Sequence, residues 1–265
     1  MLATFATCWY ALNSKFPLET YLHWMRHMLI EINTYYLVLF TDAAGEALLR
    51  DHFPSYLNQL NLKIVQKPYK EWYNYKFKDQ WIKNHQKNTL LNSKSGWKLN
   101  MLWAEKTHFV NETRLQKYFP PTEFYGWCDI GYFREGPCPT FANEAKLLAL
   151  NKNKIYYACV NPVQLENLIP IVQEKNEVGL PVVPIPPEQV SVAGGFFIAY
   201  QSKIAGWQKK FDEKLALYFL NDYLVKDDQI IIVDCILSDP QRFELICEPN
   251  PKKNPWFTFR RFLGG

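Results

Sequence analysis

The chain has 265 residues, 48% of them hydrophobic and 16% aromatic, with a formal net charge of +4. This length suits one large domain with a sizeable core, and a mild charge with no Lys/Arg block argues against a nucleic-acid binder. No apolar run approaches a membrane span, and the opening MLATFATCWYALNSKF lacks the basic start of a signal peptide.

The six cysteines (Cys8, Cys128, Cys138, Cys159, Cys235, Cys247) are scattered, with no CxxC pair and no zinc spacing. Free thiols in a reducing compartment are expected, hence a cytoplasmic location. The positive charge leaves peripheral contact with a membrane surface open.

In chain order, Leu2 to Trp9 predicts a first strand. The spacing of Leu18, Leu22, Met25, Leu29 and Ile32 predicts a helix over Phe16 to Ile32, with Pro17 in its first turn. Tyr35 to Phe40, a continuous apolar run, predicts a second strand closing on Thr41-Asp42. Residues 44–59 predict a helix interrupted at Pro54, and Leu62 to Val65 a short third strand. Strand, helix, strand, helix, strand is the pattern of a parallel sheet with crossover helices, whose ligands bind beyond the carboxyl ends of the strands. Thr7, Cys8 and Trp9 stand at the first such end and Asp42 at the second, so they are candidates to line a nucleoside pocket. A helix or turn cap is the simpler local role for Asp42.

Tyr69 to Trp81, dense in aromatics and lysines, suits a packing layer or a substrate-facing segment. One helix is expected over Ser95 to Thr107. Lys98 lies early in it, where a cation gains nothing from the helix dipole; an anionic partner or plain surface exposure accounts for it. Pro120-Pro121 then leads into Phe124-Tyr125-Gly126-Trp127-Cys128-Asp129-Ile130-Gly131. The aromatic run predicts a buried strand. Asp129 at its end either closes a turn or is a carboxylate needing a partner, which a metal ion, a basic side chain or a polar ligand would supply.

Arg134 follows, and Ile155 to Val160 predicts another strand. The prolines of residues 161–189 predict an irregular excursion where an acceptor would be chosen. Val192 to Tyr200 joins Gly194 and Gly195 to a strand; the glycines allow close backbone approach or form a bulge. Ile204 to about Tyr223 predicts a helix with Trp207, Phe211, Leu215 and Phe219 on its buried face. Lys226-Asp227-Asp228-Gln229 opens the apolar run Ile230 to Ile236 and reads as a helix start. Acids here serve as caps, but one suffices: with Asp227 as the cap Asp228 is free for the pocket, and the two roles exchange if the helix start shifts by a residue. Phe243 to Cys247 predicts a late strand. The tail PNPKKNPWFTFRRFLGG, basic and aromatic, folds over a diphosphate or stays solvated.

The order of three pieces carries a resemblance: the first strand with its Thr/Cys loop, then WCDIG, then GGFF followed some thirty residues later by DDQ. From Thr4 to Phe243 the chain resembles the GT-A class of nucleotide-sugar glycosyltransferases, and is similar to the bacterial HtrL/YibB-like family. The resemblance implies a single α/β, GT-A-like domain with a central, mostly parallel, twisted sheet flanked by helices. Residues 1–131 would form the nucleotide-sugar half and residues 132–265 the acceptor half and tail. It implies a nucleoside-diphosphate sugar as donor and a glycan or glycoconjugate hydroxyl as acceptor. Thr7, Cys8, Trp9, Asp42, Lys98, Trp127 and Asp129 would lie on the donor, Gly194, Gly195 and Phe196 on the acceptor side, and Asp228 beneath the reacting sugar, as the base of an inverting enzyme or to orient the sugar in a retaining one. Asp129 would hold Mn²⁺ or Mg²⁺ on the diphosphate. Two departures stand out: Gly131 replaces the second acid of a DxD motif, and no histidine follows His108. Metal-independent transfer, with Arg260, Arg261 or Lys98 neutralising the diphosphate, is the alternative. A binding or structural protein that has lost catalysis is the rival from another class.

Overall fold

The computed structural model describes residues 1–30 and 32–264; Glu31, inside the first predicted helix, and Gly265, at the end of the tail, lie outside the described residues. Seven strands, β1 (Ala3–Cys8), β2 (Tyr36–Thr41), β3 (Leu62–Gln66), β4 (Phe124–Cys128), β5 (Ile155–Cys159), β6 (Phe196–Tyr200) and β7 (Phe243–Cys247), form one sheet in the order β3-β2-β1-β4-β6-β5-β7. β6 runs antiparallel to β4 and β5, while the other pairings are parallel. The helices are α1 (Leu18–Leu29), α2 (Ala43–His52), α3 (Lys78–Lys87), α4 (Trp97–Ala104), α5 (Lys106–Gln116), α6 (Glu144–Leu148), α7 (Pro162–Gln173), α8 (Gln201–Leu220), α9 (Asp228–Ser238) and α10 (Thr258–Phe262). This is a single α/β domain with a mostly parallel sheet. No helix among the described residues is long and apolar enough to cross a membrane.

Side chains alternate across a strand, so each strand feeds two cores. Val38, Phe40, Tyr125, Trp127, Tyr157 and Phe197 pack on one face with residues of α4, α5, α8 and α9. Phe5, Leu37, Leu39, Phe124, Cys128 and Phe196 pack on the other with α1, α2 and α10. Burial on both faces explains why the strands read as apolar runs with little alternation.

Three segments differ from expectation. Residues 161–189 are not irregular throughout, because α7 fills their first part. Asn161 caps it by accepting from the Gln164 N–H at 3.1 Å, and Pro162 takes the first-turn position where no N–H is needed. The helix tolerates Pro170 within its length. The single helix expected over Ser95 to Thr107 is two helices broken at Glu105. Its buried carboxylate turns away to accept from the backbone N–H of Tyr73 at 2.7 Å and of Asn74 at 3.0 Å, and from Asn74 Nδ2 at 2.8 Å. The helix expected over residues 44–59 stops at His52, ahead of Pro54, whose ring disfavours a helical predecessor. Tyr69 to Trp81 proves to be mainly a packing layer, with Trp72 and Trp81 buried.

Candidate functional site

The site lies at the carboxyl end of β4, where the chain leaves the sheet beside the start of β6. The Asp129 N–H donates to the Gly195 carbonyl at 2.9 Å, extending the β4–β6 ladder by one step. Trp127, on the α5 face, donates its indole Nε1–H to Asp129 Oδ1 at 2.6 Å. The Asp129 side chain is nevertheless 44% exposed and faces a cavity of about 510 Å³. Asp228 lines the same cavity from the first turn of α9, only 5% exposed. Asp227 caps that helix by accepting from the Gln229 N–H at 3.2 Å. Asp227 also lines the cavity, but its carboxylate is engaged by the cap and by Lys226 Nζ at 3.1 Å, whereas Asp228 makes no capping bond.

Lys106 joins the carboxylates. Its Nζ lies 3.2 Å from Asp129 Oδ1 and 3.1 Å from Asp228 Oδ2, and donates to the Gly194 carbonyl at 2.8 Å. The contact with Asp228 Oδ2 is an ion pair without hydrogen-bond alignment, so that buried oxygen has a charge beside it but no aligned donor. Burial opposes the charge on Lys106, but the two carboxylates, Asp129 ahead of Asp228, outweigh it and raise the ammonium's pKa. For Asp228 the balance reverses. Burial is the largest influence, the Asp227 and Asp129 charges add to it, and Lys106 only partly compensates, so its pKa is pushed up to about 6.

Gly194 and Gly195 are shaped around these groups. A Cβ on Gly194 would fall 2.8 Å from Asp228 Oδ2, and one on Gly195 would fall 3.1 Å from Asp129 Oδ2. The glycines therefore make room for the two acids rather than forming a bulge. Gly131 leaves space for Trp24, whose ring carries the Arg134 guanidinium at 3.9 Å. Arg134, Lys15, Tyr21, Trp103 and Trp256 line the rest of the cavity. A second cavity of about 580 Å³ adjoins it through Lys15, Phe16 and Tyr21 and is bounded by Trp9 and the loop that follows.

Of the residues singled out from sequence, Asp129, Asp228, Gly194 and Gly195 converge, with Trp127 positioned against Asp129, and Trp9 lines the adjoining cavity. The others do not join them. Asp42 caps α2, accepting from the Gly45 N–H at 2.8 Å, and lines neither cavity. Thr7 is fully buried within β1, and Cys8 at its end lines neither cavity; burial, then the Asp129 charge, holds its thiol far above the usual pKa. Lys98 lies 4.0 Å above the Tyr69 ring, outside both cavities. Phe196 is core, stacked on Phe259 with ring centroids 4.5 Å apart. Arg260 and Arg261 are paired with Glu135, and Arg261 also with Glu248, so the tail reaches the cavity through Asn254, Trp256 and Phe257 instead.

Lys106 was missed. Within one helix over Ser95 to Thr107 it sits at the carboxyl end, where a cation is favoured and needs no explanation. The break at Glu105 puts it at the amino end of α5, where only anionic partners justify it. The signal was legible for Lys98, but it belonged to Lys106.

The residues do not fit a divalent ion as they stand. The position bridging the two carboxylates is filled by the Lys106 ammonium, and among the described residues no group of three or more His, Cys, Asp or Glu side chains converges to hold a metal.

No curated protein matches the chain by sequence. Among solved structures it is similar to the crystal structure of mouse xyloside xylosyltransferase 1 in its apo form. The TM-score is 0.50 and the identity 11%, over 91% of this chain and 84% of that one. At that identity the likeness is one of fold alone, a GT-A-like α/β domain. A family model described as a bacterial protein of unknown function matches residues 9–264, and the chain belongs to that family, HtrL_YibB.

Proposed function

We propose that the protein is a glycosyltransferase that moves a sugar from a nucleoside-diphosphate sugar to a hydroxyl of a glycan or glycoconjugate. The observation that carries this reading is the convergence of Asp129 and Asp228 on one aromatic, cation-lined cavity at the carboxyl ends of the strands. In this reading the nucleoside lies in the adjoining cavity against Trp9, and the diphosphate between Lys15 and Arg134. The acceptor enters past Trp256 and Phe257. Donor groups thus come mainly from residues 1–131 and acceptor groups from residues 132–265, although Arg134 serves the diphosphate and Asp228 the reacting sugar from the second half.

Transfer breaks the bond from the anomeric carbon to the phosphate oxygen, whose electron pair leaves with the nucleoside diphosphate. The acceptor oxygen bonds to that carbon and gives up its proton. Asp228, with a pKa of about 6, is ionised at neutral pH yet basic enough to accept that proton, the balance a general base needs. Asp129, more exposed and held by Trp127, orients the sugar. Both cations stabilise the charge that develops on the leaving group.

The test is release of UDP or GDP from a panel of nucleotide sugars by the purified protein, with and without a mixed glycan acceptor. Turnover is expected for at least one donor and absent in Asp129→Asn. Nucleotide binding without sugar release would make the chain a binding protein instead, and no binding to any donor would refute the reading.

A further inference from the structure

The sequence resemblance puts a divalent ion on Asp129, yet here a lysine ammonium stands between Asp129 and Asp228. Three observations show that Lys106 is built into this place. First, the break at Glu105 fixes the start of α5, and Glu105 is itself held by three hydrogen bonds to Tyr73 and Asn74. Second, the Lys106 side chain is only 9% exposed and donates to the Gly194 carbonyl, an anchor independent of either acid. Third, Gly194 and Gly195 lack the Cβ atoms that would push Asp228 and Asp129 from their positions beside the ammonium.

We propose that this site works without a divalent metal, with Lys106 as a positioning residue that holds Asp129 and Asp228 where an ion would otherwise bridge them. A divalent ion placed on both carboxylates would stand against a buried, anchored ammonium, and the two cations would repel each other at contact distance. The charge of a leaving diphosphate is then met by Arg134 and Lys15. Both line the cavity and are braced on aromatic rings, Arg134 at 3.9 Å over Trp24 and Lys15 at 4.7 Å over Trp103. What the site does to a sugar nucleotide rests on the function proposed above, but the exclusion of the ion stands or falls separately.

The experiment is a titration with Mn²⁺ alone, the free ion being followed by electron paramagnetic resonance, on the wild type, Asp129→Asn, Lys106→Ala and Lys106→Ala/Asp228→Asn. The wild type is expected to take up no more Mn²⁺ than Asp129→Asn. Lys106→Ala, with the acids freed, is expected to bind Mn²⁺ at least about tenfold more tightly than the wild type, a gain that the double variant loses. One equivalent of Mn²⁺ bound by the wild type and lost in Asp129→Asn would overturn the proposal, as would a Lys106→Ala chain that gains nothing. Should Lys106→Ala fail to fold by its melting curve, Lys106→Gln replaces it, and the wild-type comparison decides in either case. Any sugar-nucleotide turnover is expected to survive EDTA unchanged. A protein with no turnover would count against the glycosyltransferase reading, while the Mn²⁺ titration would still decide the question of the ion.

Discussion

Helix α9 carries two buried aspartates, and they are treated in opposite ways. Asp234, fully buried, is surrounded by donors: Lys175 Nζ at 2.9 Å and Ser238 Oγ at 2.8 Å reach Oδ1, and Tyr218 OH at 2.9 Å reaches Oδ2. Lys214 Nζ adds a second ammonium 3.1 Å from Oδ1. Asp228, at the start of the same helix, has one lysine shared with Asp129, an oxygen without an aligned donor, and an opening to a cavity. A buried carboxylate with an aligned donor on each oxygen is a fastening that ties α9 to α8 and to the segment after α7. A cluster left partly unsatisfied beside open space retains the capacity to react with something else. The contrast separates structural from functional charge within one helix, although both acids are buried and both face lysines.

The sharpest way to break that contrast is to neutralise each acid in turn. Asp228→Asn should lower turnover by about a thousandfold, within the usual range for loss of a general base, while its melting temperature stays level or rises. Rate and melting curve measured on one preparation check this. A fall in both would return Asp228 to the structural class. Asp234→Ala should do the reverse. It leaves Lys175 and Lys214 without their partner and should cost about 3–5 kcal/mol in denaturant unfolding, with turnover per folded molecule unchanged.

The pH dependence sharpens the same distinction. Between its usual value of 3.8 and about 6, folded Asp228 keeps a proton that the unfolded chain has released. Stability from this group is therefore present at low pH and is lost as pH rises through that window. In Asp228→Asn that decline should vanish, and in the wild type kcat should fall on the acid side near pH 6. Chemical melts and rate profiles from pH 4 to pH 8 test both limbs. The smallest effect belongs to Asp227→Ala. Losing the cap should cost about 1 kcal/mol in an unfolding titration, with little change in rate, because its carboxylate serves Gln229 N–H rather than the reacting centre.

Much of the framework was legible in advance. All seven strands, with β6 shorter than expected, follow from apolar runs, and α8 follows from the spacing of Trp207, Phe211 and Leu215. Helix starts at Leu18 and Asp228 follow from Pro17 and Asp227, because these signals act within a few residues. Helix α7 was hidden because its prolines resemble loop signals, although Asn161-Pro162 is a good helix start once neighbouring packing supplies the rest. Asp42 shows the local signal prevailing: of the two roles its strand-end position left open, its side chain takes the cap, on the nearby Gly45 N–H.

The sequence by itself determined that this chain builds a mostly parallel α/β sheet, with Asp129 at the end of a buried strand and an acidic pair opening a late helix. Those features arise from local periodicity, propensity and capping, which need no distant partner. Only the tertiary structure decided what the acids face. Lys106, Asp129, Gly194 and Asp228 are far apart in the chain, and they meet because α5 packs across β1 and β4 while the turn before β6 comes alongside. The break at Glu105 that aims Lys106 depends on backbone groups of Tyr73 and Asn74, a long-range contact with no signature in the helix itself. Charges buried together are chosen by the fold, since the cost of burying each one is offset only by partners that folding brings within reach.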